Sequence, residues 1–143
     1  GYALSIDLTY TWTKARFQSD FDSSFSQWGS VKKDDVLPYV PEHQAGGTIG
    51  LRSERLMASL GATYRSALLD NAGVFGEDDG EIPSLLLIDG ALSCEIAKGW
   101  SAYVTGTNMT DAVAIASWRP YGARPIAPRL VMAGVKWLGG GAG

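Results

Sequence analysis

Between Tyr2 and Thr13 the chain alternates almost without a break: Tyr2, Leu4, Ile6, Leu8, Tyr10 and Trp12 stand against Ala3, Ser5, Asp7, Thr9, Thr11 and Thr13. Successive side chains of an extended backbone point to opposite faces, so this run separates into an apolar and a polar face only as a β-strand. The same period returns along the chain. Near residues 42–52, Ala45, Gly47, Ile49 and Leu51 oppose Gln44, Thr48 and Arg52, and from residue 56 the set Leu56, Ala58, Leu60, Ala62 and Tyr64 opposes Ser59, Thr63 and Arg65. Over 85–97, Leu86, Ile88, Leu92, Cys94 and Ile96 alternate with Asp89, Ser93 and Glu95. Trp100, Ala102 and Val104 then oppose Ser101, Thr105 and Thr107, and Val131, Ala133, Val135 and Trp137 oppose Gly134 and Lys136. The pattern predicts an all-β chain of six antiparallel strands.

The connections alternate as well. Tight reversals at Ser53-Glu54-Arg55 and Lys98-Gly99 are interleaved with long segments at about 17–41, 66–84 and 110–128. Outer-membrane barrels show this asymmetry, with short turns on the periplasmic rim and long loops outside, and it gives strands one, three and five a common upward direction. A soluble sandwich would also alternate, so strand length and aromatic placement must separate the two. Strand one runs about 11 residues, the length of a membrane strand rather than the roughly 5–6 of a soluble one. Tyr2, Trp100 and Trp137 fall at one level and Tyr10, Trp12 and Tyr64 at the other, as two interfacial girdles would. The polar face carries Asp7, Arg52, Arg65, Asp89, Glu95 and Lys136, groups that are costly in a dry core and suited to a wet or plugged lumen. Six strands are too few to close such a lumen, so the expectation is a transmembrane β-barrel segment that belongs to a larger barrel, or to a pore pooled from several short chains. A soluble lipocalin-like barrel or sandwich with a small apolar ligand inside is the alternative; it inverts the faces of every strand.

Composition narrows the function classes. Net charge is −3 and the pI is near 5.0, with no basic run, which speaks against nucleic acid as a partner. No stretch approaches the roughly 18 apolar residues of a spanning helix. Cys94, the single cysteine, reads as a small hydrophobe, and no Ser/His/Asp spacing or glycine-rich phosphate loop suggests catalysis, so no enzyme and no cofactor are expected. Residues 1–138 form one unit in this reading, and the glycine-rich 139–143 a linker-like tail.

Three stretches resemble the C-terminal region of TonB-dependent outer-membrane receptors, especially those for ferric citrate and other ferric siderophores. Leu37-Pro38-Tyr39-Val40-Pro41-Glu42-His43-Gln44 is similar to the family's proline-aromatic-proline lead-in to a descending strand. Thr107-Asn108-Met109-Thr110-Asp111 resembles its asparagine-leucine-threonine/phenylalanine-aspartate signature, with Met109 where leucine is usual. Arg119-Pro120-Tyr121-Gly122-Ala123-Arg124-Pro125-Ile126-Ala127-Pro128-Arg129 is similar to the segment leading into the last strand. The resemblance implies a barrel of 22 strands in the bacterial outer membrane, with lipid around it, a plug inside it, and energy from TonB for uptake of a ferric chelate. It departs from the family at Gly139, where an aromatic residue is usual.

On this reading Pro38, Tyr39, Pro41, Asn108, Asp111, Arg119, Pro120, Gly122, Pro125, Pro128 and Arg129 are structural motif residues. Arg119 and Arg124 are also candidate ligand contacts, because guanidinium groups pair in bidentate fashion with carboxylates such as those of a citrate chelate. Pairing with neighbouring carboxylates, or bracing of the loop, is the plainer use. Glu77-Asp78-Asp79-Gly80-Glu81 offers oxygen ligands for a hard cation, although its spacing matches no EF-hand and a solvated loop tip is the simpler reading. His43, the lone histidine, is expected to be structural.

Overall fold

The computed structural model describes residues 1–26, 28–76, 80–120 and 122–139. Among these residues twelve strands follow one another: β1 Tyr2–Trp12, β2 Phe21–Asp22, β3 Ser30–Val31, β4 His43–Ser53, β5 Leu56–Arg65, β6 Leu68–Leu69, β7 Glu81–Ile82, β8 Leu85–Ala97, β9 Trp100–Thr107, β10 Ile115–Ser117, β11 Arg124–Pro125 and β12 Leu130–Trp137. No helix occurs among the described residues. The six long strands make one antiparallel meander in the order β1-β4-β5-β8-β9-β12. Their bounds lie within a residue or two of the alternating runs in the sequence, because a period of two with one apolar face leaves little freedom of register.

Register shows how the apolar stripe crosses the sheet. Ile6 pairs with Ile49, Ile49 with Leu60, and Leu60 with Gly90; one row away, Leu51 pairs with Ala58, Ala58 with Leu92, Leu92 with Val104 and Val104 with Ala133. Directly opposed residues share a face, so these rows make one continuous apolar surface. Asp7, Thr48, Gly61 and Asp89 form a parallel row on the other side. That side is not wholly polar: Met57, Tyr103, Met132, Leu85 and Leu87 share it by register. The sheet is open, with β1 and β12 as its two edges.

The short connections are residues 54–55 and 98–99. Gly99 sits at φ +77 with its carbonyl accepting the N–H of Leu138, and a Cβ there would come within 2.8 Å of the Leu138 carbonyl oxygen. The tight reversal needs glycine for both reasons. Trp100 and Trp137 pair across β9 and β12 beside it, with ring centroids 6.2 Å apart. At the opposite end Tyr10 stacks on His43, its hydroxyl 2.9 Å from Nδ1, and Trp12 donates its indole N–H to Glu42. His43 is thus a partner of the aromatic row at that end.

No residue of the six long strands is buried. Ile6 is 59% exposed and Leu8 79%. The buried apolar side chains among the described residues are Val31, Val36, Leu68, Leu69 and Ile82, and every one lies in the long connections. The connections carry three small ribbons, β2-β3, β6-β7 and β10-β11, all at the same end of the meander. The molecule is therefore a bare wall with a folded cap.

Candidate functional site

The cap brings together residues that are far apart in the chain. Its first connection, 13–42, and its second, 66–84, share backbone hydrogen bonds: Val36 bridges Arg16 on one side and Gly73 on the other, and the Tyr39 N–H donates to the Leu69 carbonyl. Leu69 and Ile82 are 1% and 0% exposed in the β6-β7 ribbon, and Val31 and Val36 are buried in the first connection. Sealing a few aliphatic side chains of this size stabilises the loops by roughly 1.5–3 kcal/mol each before entropy is counted. Beside them Phe17, Phe21, Phe25 and Trp28 meet edge-on, with centroid spacings of 5.5–5.9 Å.

The third connection, 108–129, meets the second where β10 lies against β7, and is joined to both of the others at a polar node. Asp70, buried in the second connection, accepts from the Tyr39 hydroxyl of the first and forms an ion pair with Arg119 of the third, Nη2 to Oδ2 at 3.2 Å. Arg119 spends its other donors on Asn71 Oδ1 at 2.5 Å and on the hydroxyl and carbonyl of Ser26 at 2.8 and 3.4 Å. The Tyr39 oxygen also accepts the N–H of Trp118. Burial pushes the Tyr39 hydroxyl above its ordinary 10.0 and the bond to Asp70 adds to that, while the Trp118 N–H pulls the other way. Tyr39 holds φ +58, a left-handed conformation that a bulky residue adopts only when its surroundings demand it.

A second cluster secures the feet of the third connection. Asn108, 4% exposed and at φ +49, donates its amide to the carbonyls of Ala112 and Ala127 and accepts the Ala112 N–H, all within 3.1 Å. Its own N–H reaches Asp89. Asp111 pairs with Arg129 at 3.2 Å. Asparagine suits this place because its short side chain imitates a backbone turn and tolerates positive φ.

The motif residues thus fall into two groups. Tyr39 and Arg119 meet at Asp70, and Asn108, Asp111 and Arg129 meet at the base of the third connection. Pro38 and Pro41 flank Tyr39, Pro120 follows Arg119, Pro125 pairs with Ile115 in the β10-β11 ribbon, Pro128 precedes Arg129, and Gly122 takes φ +104. Arg124 is exposed on β11 and makes no ion pair among the described residues. Asp70, the hub, was not singled out in the sequence; Leu68-Leu69-Asp70 breaks the alternation, and that break is its only mark. Glu77-Asp78-Asp79 lies outside the described residues. Among those described, no group of three His, Cys, Asp or Glu side chains gathers for a metal.

The polar face of the sheet holds an open concavity of about 440 Å³, lined by Asp7, Thr48, Thr63 and Asp89 with several glycines. It has carboxylates and hydroxyls but no histidine or thiol. The arrangement offers hydrogen bonds and negative charge.

The whole arrangement is similar to part of a known receptor. The ferric-catecholate import receptor Fiu from E. coli K12, in the closed form of its crystal structure, matches with a TM-score of 0.72 and 18% sequence identity over 95% of this chain and 19% of that one. The chain shares a fold with that stretch and spans about a fifth of the receptor's length. No protein-family model matches the sequence, and no curated protein does.

Proposed function

We propose that the chain is a stretch of wall with three outer loops from a TonB-dependent outer-membrane receptor that imports a ferric chelate of the siderophore or ferric citrate type. One observation carries the reading: a six-stranded sheet exposes a continuous apolar face between two aromatic rows, while the buried core lies in the connections. Such a surface is the kind that hydrocarbon covers. The fold shared with a ferric-catecholate import receptor supports the cargo class. In this reading the remaining strands of a 22-stranded barrel complete the edges at β1 and β12. The polar face meets a plug, and TonB acts through that plug. The chain itself performs no catalysis, holds no cofactor, and resides in the bacterial outer membrane. Arg119 is largely committed to Asp70, Asn71 and Ser26, so Arg124 is the better ligand contact of the two.

The test is iron uptake by the host with the whole receptor deleted and restored, supplied with ferric catecholate or ferric citrate as the iron source. Loss of uptake for one chelate, recovered with the full-length gene, is the expected result. Equal uptake of both chelates in the deleted strain sinks the transport reading. A monodisperse β-rich monomer of the purified chain in detergent-free buffer sinks the membrane wall.

A further inference from the structure

Arg65 ends β5 at the foot of the second connection and is half-buried there. Arg119 pairs with Asp70 and Arg129 with Asp111, whereas Arg65 makes no ion pair among the described residues. Its guanidinium donates instead to the carbonyls of Pro83, Ile115 and Ser66, at 3.2, 3.4 and 3.5 Å. Those distances lie at or past the usual limit for an N–H to oxygen bond, and neutral carbonyls leave the positive charge unbalanced.

The same residue borders a second recess of the polar face, of about 390 Å³, nearer the cap than the row of Asp7 and Asp89. Thr11, Gln44, Arg65 and Leu85 are directly opposed across β1, β4, β5 and β8, and one row deeper Thr9 and Thr63 flank Gly46, with Leu87 beyond. Directly opposed residues share a face, so the arginine, the three hydroxyls and the amide stand together, and the two leucines close the side toward β8. Gly46 keeps the floor low, and a Cβ there would meet Thr9 Oγ1 at 2.9 Å. Tyr64 borders the recess too, but by register it belongs to the apolar face with Ala45 and Leu86, so no ring among the described residues is there for a catechol to stack on.

We infer that this recess is an oxyanion subsite for a carboxylate of the ferric chelate, with Arg65 supplying the fork of donors. A guanidinium fits a planar carboxylate through two parallel bonds, the threonines and Gln44 bond hydroxyl groups beside it, and Leu85 and Leu87 lie against the carbon chain. The inference rests on the receptor reading and selects within it a hydroxycarboxylate chelate over a catecholate one. Depth sets where the anion stops. Gly61, in the row of Asp7 and Asp89, is four residues from Arg65 along β5, roughly 13 Å at the rise of an extended strand. Carboxylates at that distance are screened from an anion held at Arg65 and oppose one that moves deeper.

Equilibrium binding of ferric citrate and of a ferric catecholate to the full receptor in detergent tests the subsite. Arg65→Gln is expected to weaken ferric citrate by about tenfold or more and the catecholate by less than about twofold. Arg65→Lys keeps the charge without the fork and should fall between wild type and Arg65→Gln for ferric citrate. Because Arg65 also braces Pro83 and Ile115, Thr63→Val reads the recess with those bonds in place, and it should weaken ferric citrate alone, by about threefold. Equal losses of both chelates in Arg65→Gln identify a brace for the cap and overturn the subsite, as does undiminished ferric citrate binding. A wild-type receptor that binds the catecholate and not ferric citrate overturns the subsite and leaves the receptor reading standing; one that binds neither removes both.

Discussion

Arg119 reaches back across 49 positions of sequence to set Nε and Nη2 on the two carboxylate oxygens of Asp70, at 3.3 and 3.2 Å. A pair this far apart in sequence and this well satisfied ties tertiary structure to side-chain chemistry, because Asp70 is buried and its charge needs a partner. Arg119→Ala is therefore expected to loosen the cap by roughly 1–3 kcal/mol, an order-of-magnitude figure for a charged hydrogen-bonded group left short of a partner. Arg124→Ala, at an exposed site, should change stability by less than about 0.5 kcal/mol. Under the receptor reading the order reverses for binding, with the larger loss of ferric-chelate affinity in Arg124→Ala, by about tenfold. Denaturation and equilibrium binding on the two variants check both halves, and equal losses of affinity dismiss the special place of Arg124.

Tyr39 supplies a pH dependence with a definite sign. Its hydroxyl is held above the ordinary 10.0, so the folded cap retains this proton at pH values where the unfolded chain has begun to release it. The associated stability is fully present below pH 10.0 and is lost as pH rises through the raised value. Tyr39→Phe should abolish that alkaline loss and lower stability at neutral pH, since Asp70 and the Trp118 N–H both lose a partner. Ultraviolet titration of tyrosinate, run beside thermal melting, detects both effects. A wild-type melting temperature that does not respond to pH in the alkaline range counts against this account.

Asn108→Ala removes three side-chain hydrogen bonds from a buried site and places alanine at φ +49. The expected cost is on the order of 2–4 kcal/mol, combining unsatisfied carbonyls with backbone strain. Asn108→Gly relieves only the strain and should recover roughly 1 kcal/mol of the loss. If the two variants melt together, the backbone conformation contributes nothing.

For the wall, Ile6→Lys puts a charge near the middle of β1 on the apolar face, while Ser5→Lys puts one on the opposite face. In a bilayer the first should cost about 2–4 kcal/mol and the second far less. Folding of the full receptor into lipid vesicles, followed by denaturant titration, separates them. Equal costs for the two would show that neither face of β1 touches lipid.

The wall was legible because alternation is a local signal: Ile6, Ile49 and Leu60 could each be given a face before their partners were known, and the register then joined them. The cap was not legible in that way. Leu68-Leu69 and the isolated Val31 and Val36 have no period, and nothing in their neighbourhood announces that they are buried within the long connections. Tyr39, Asn108 and Arg119 were visible through resemblance, as motif residues without stated partners. Asp70 and Ser26 became visible only with tertiary structure, since the bond from Arg119 to Ser26 spans 93 positions. The polar face also holds more apolar residues than its sequence pattern suggests, among them Leu85 and Leu87, because a run of four at 85–88 fills both sides of the strand.

The placement of the core in the connections turns the usual map of mutational tolerance upside down. In most domains loops accept insertions and the strands resist change. Here most positions on the apolar face of the wall need only remain apolar, because among the described residues little beyond Met109, which lies against Gly90 and Gly106, packs down on them. Leu69 and Ile82, set in two-residue ribbons, instead answer to close packing. Among descendants of this chain the wall is free to drift in sequence at constant hydrophobicity, and the long connections are where lengths and residues should hold still.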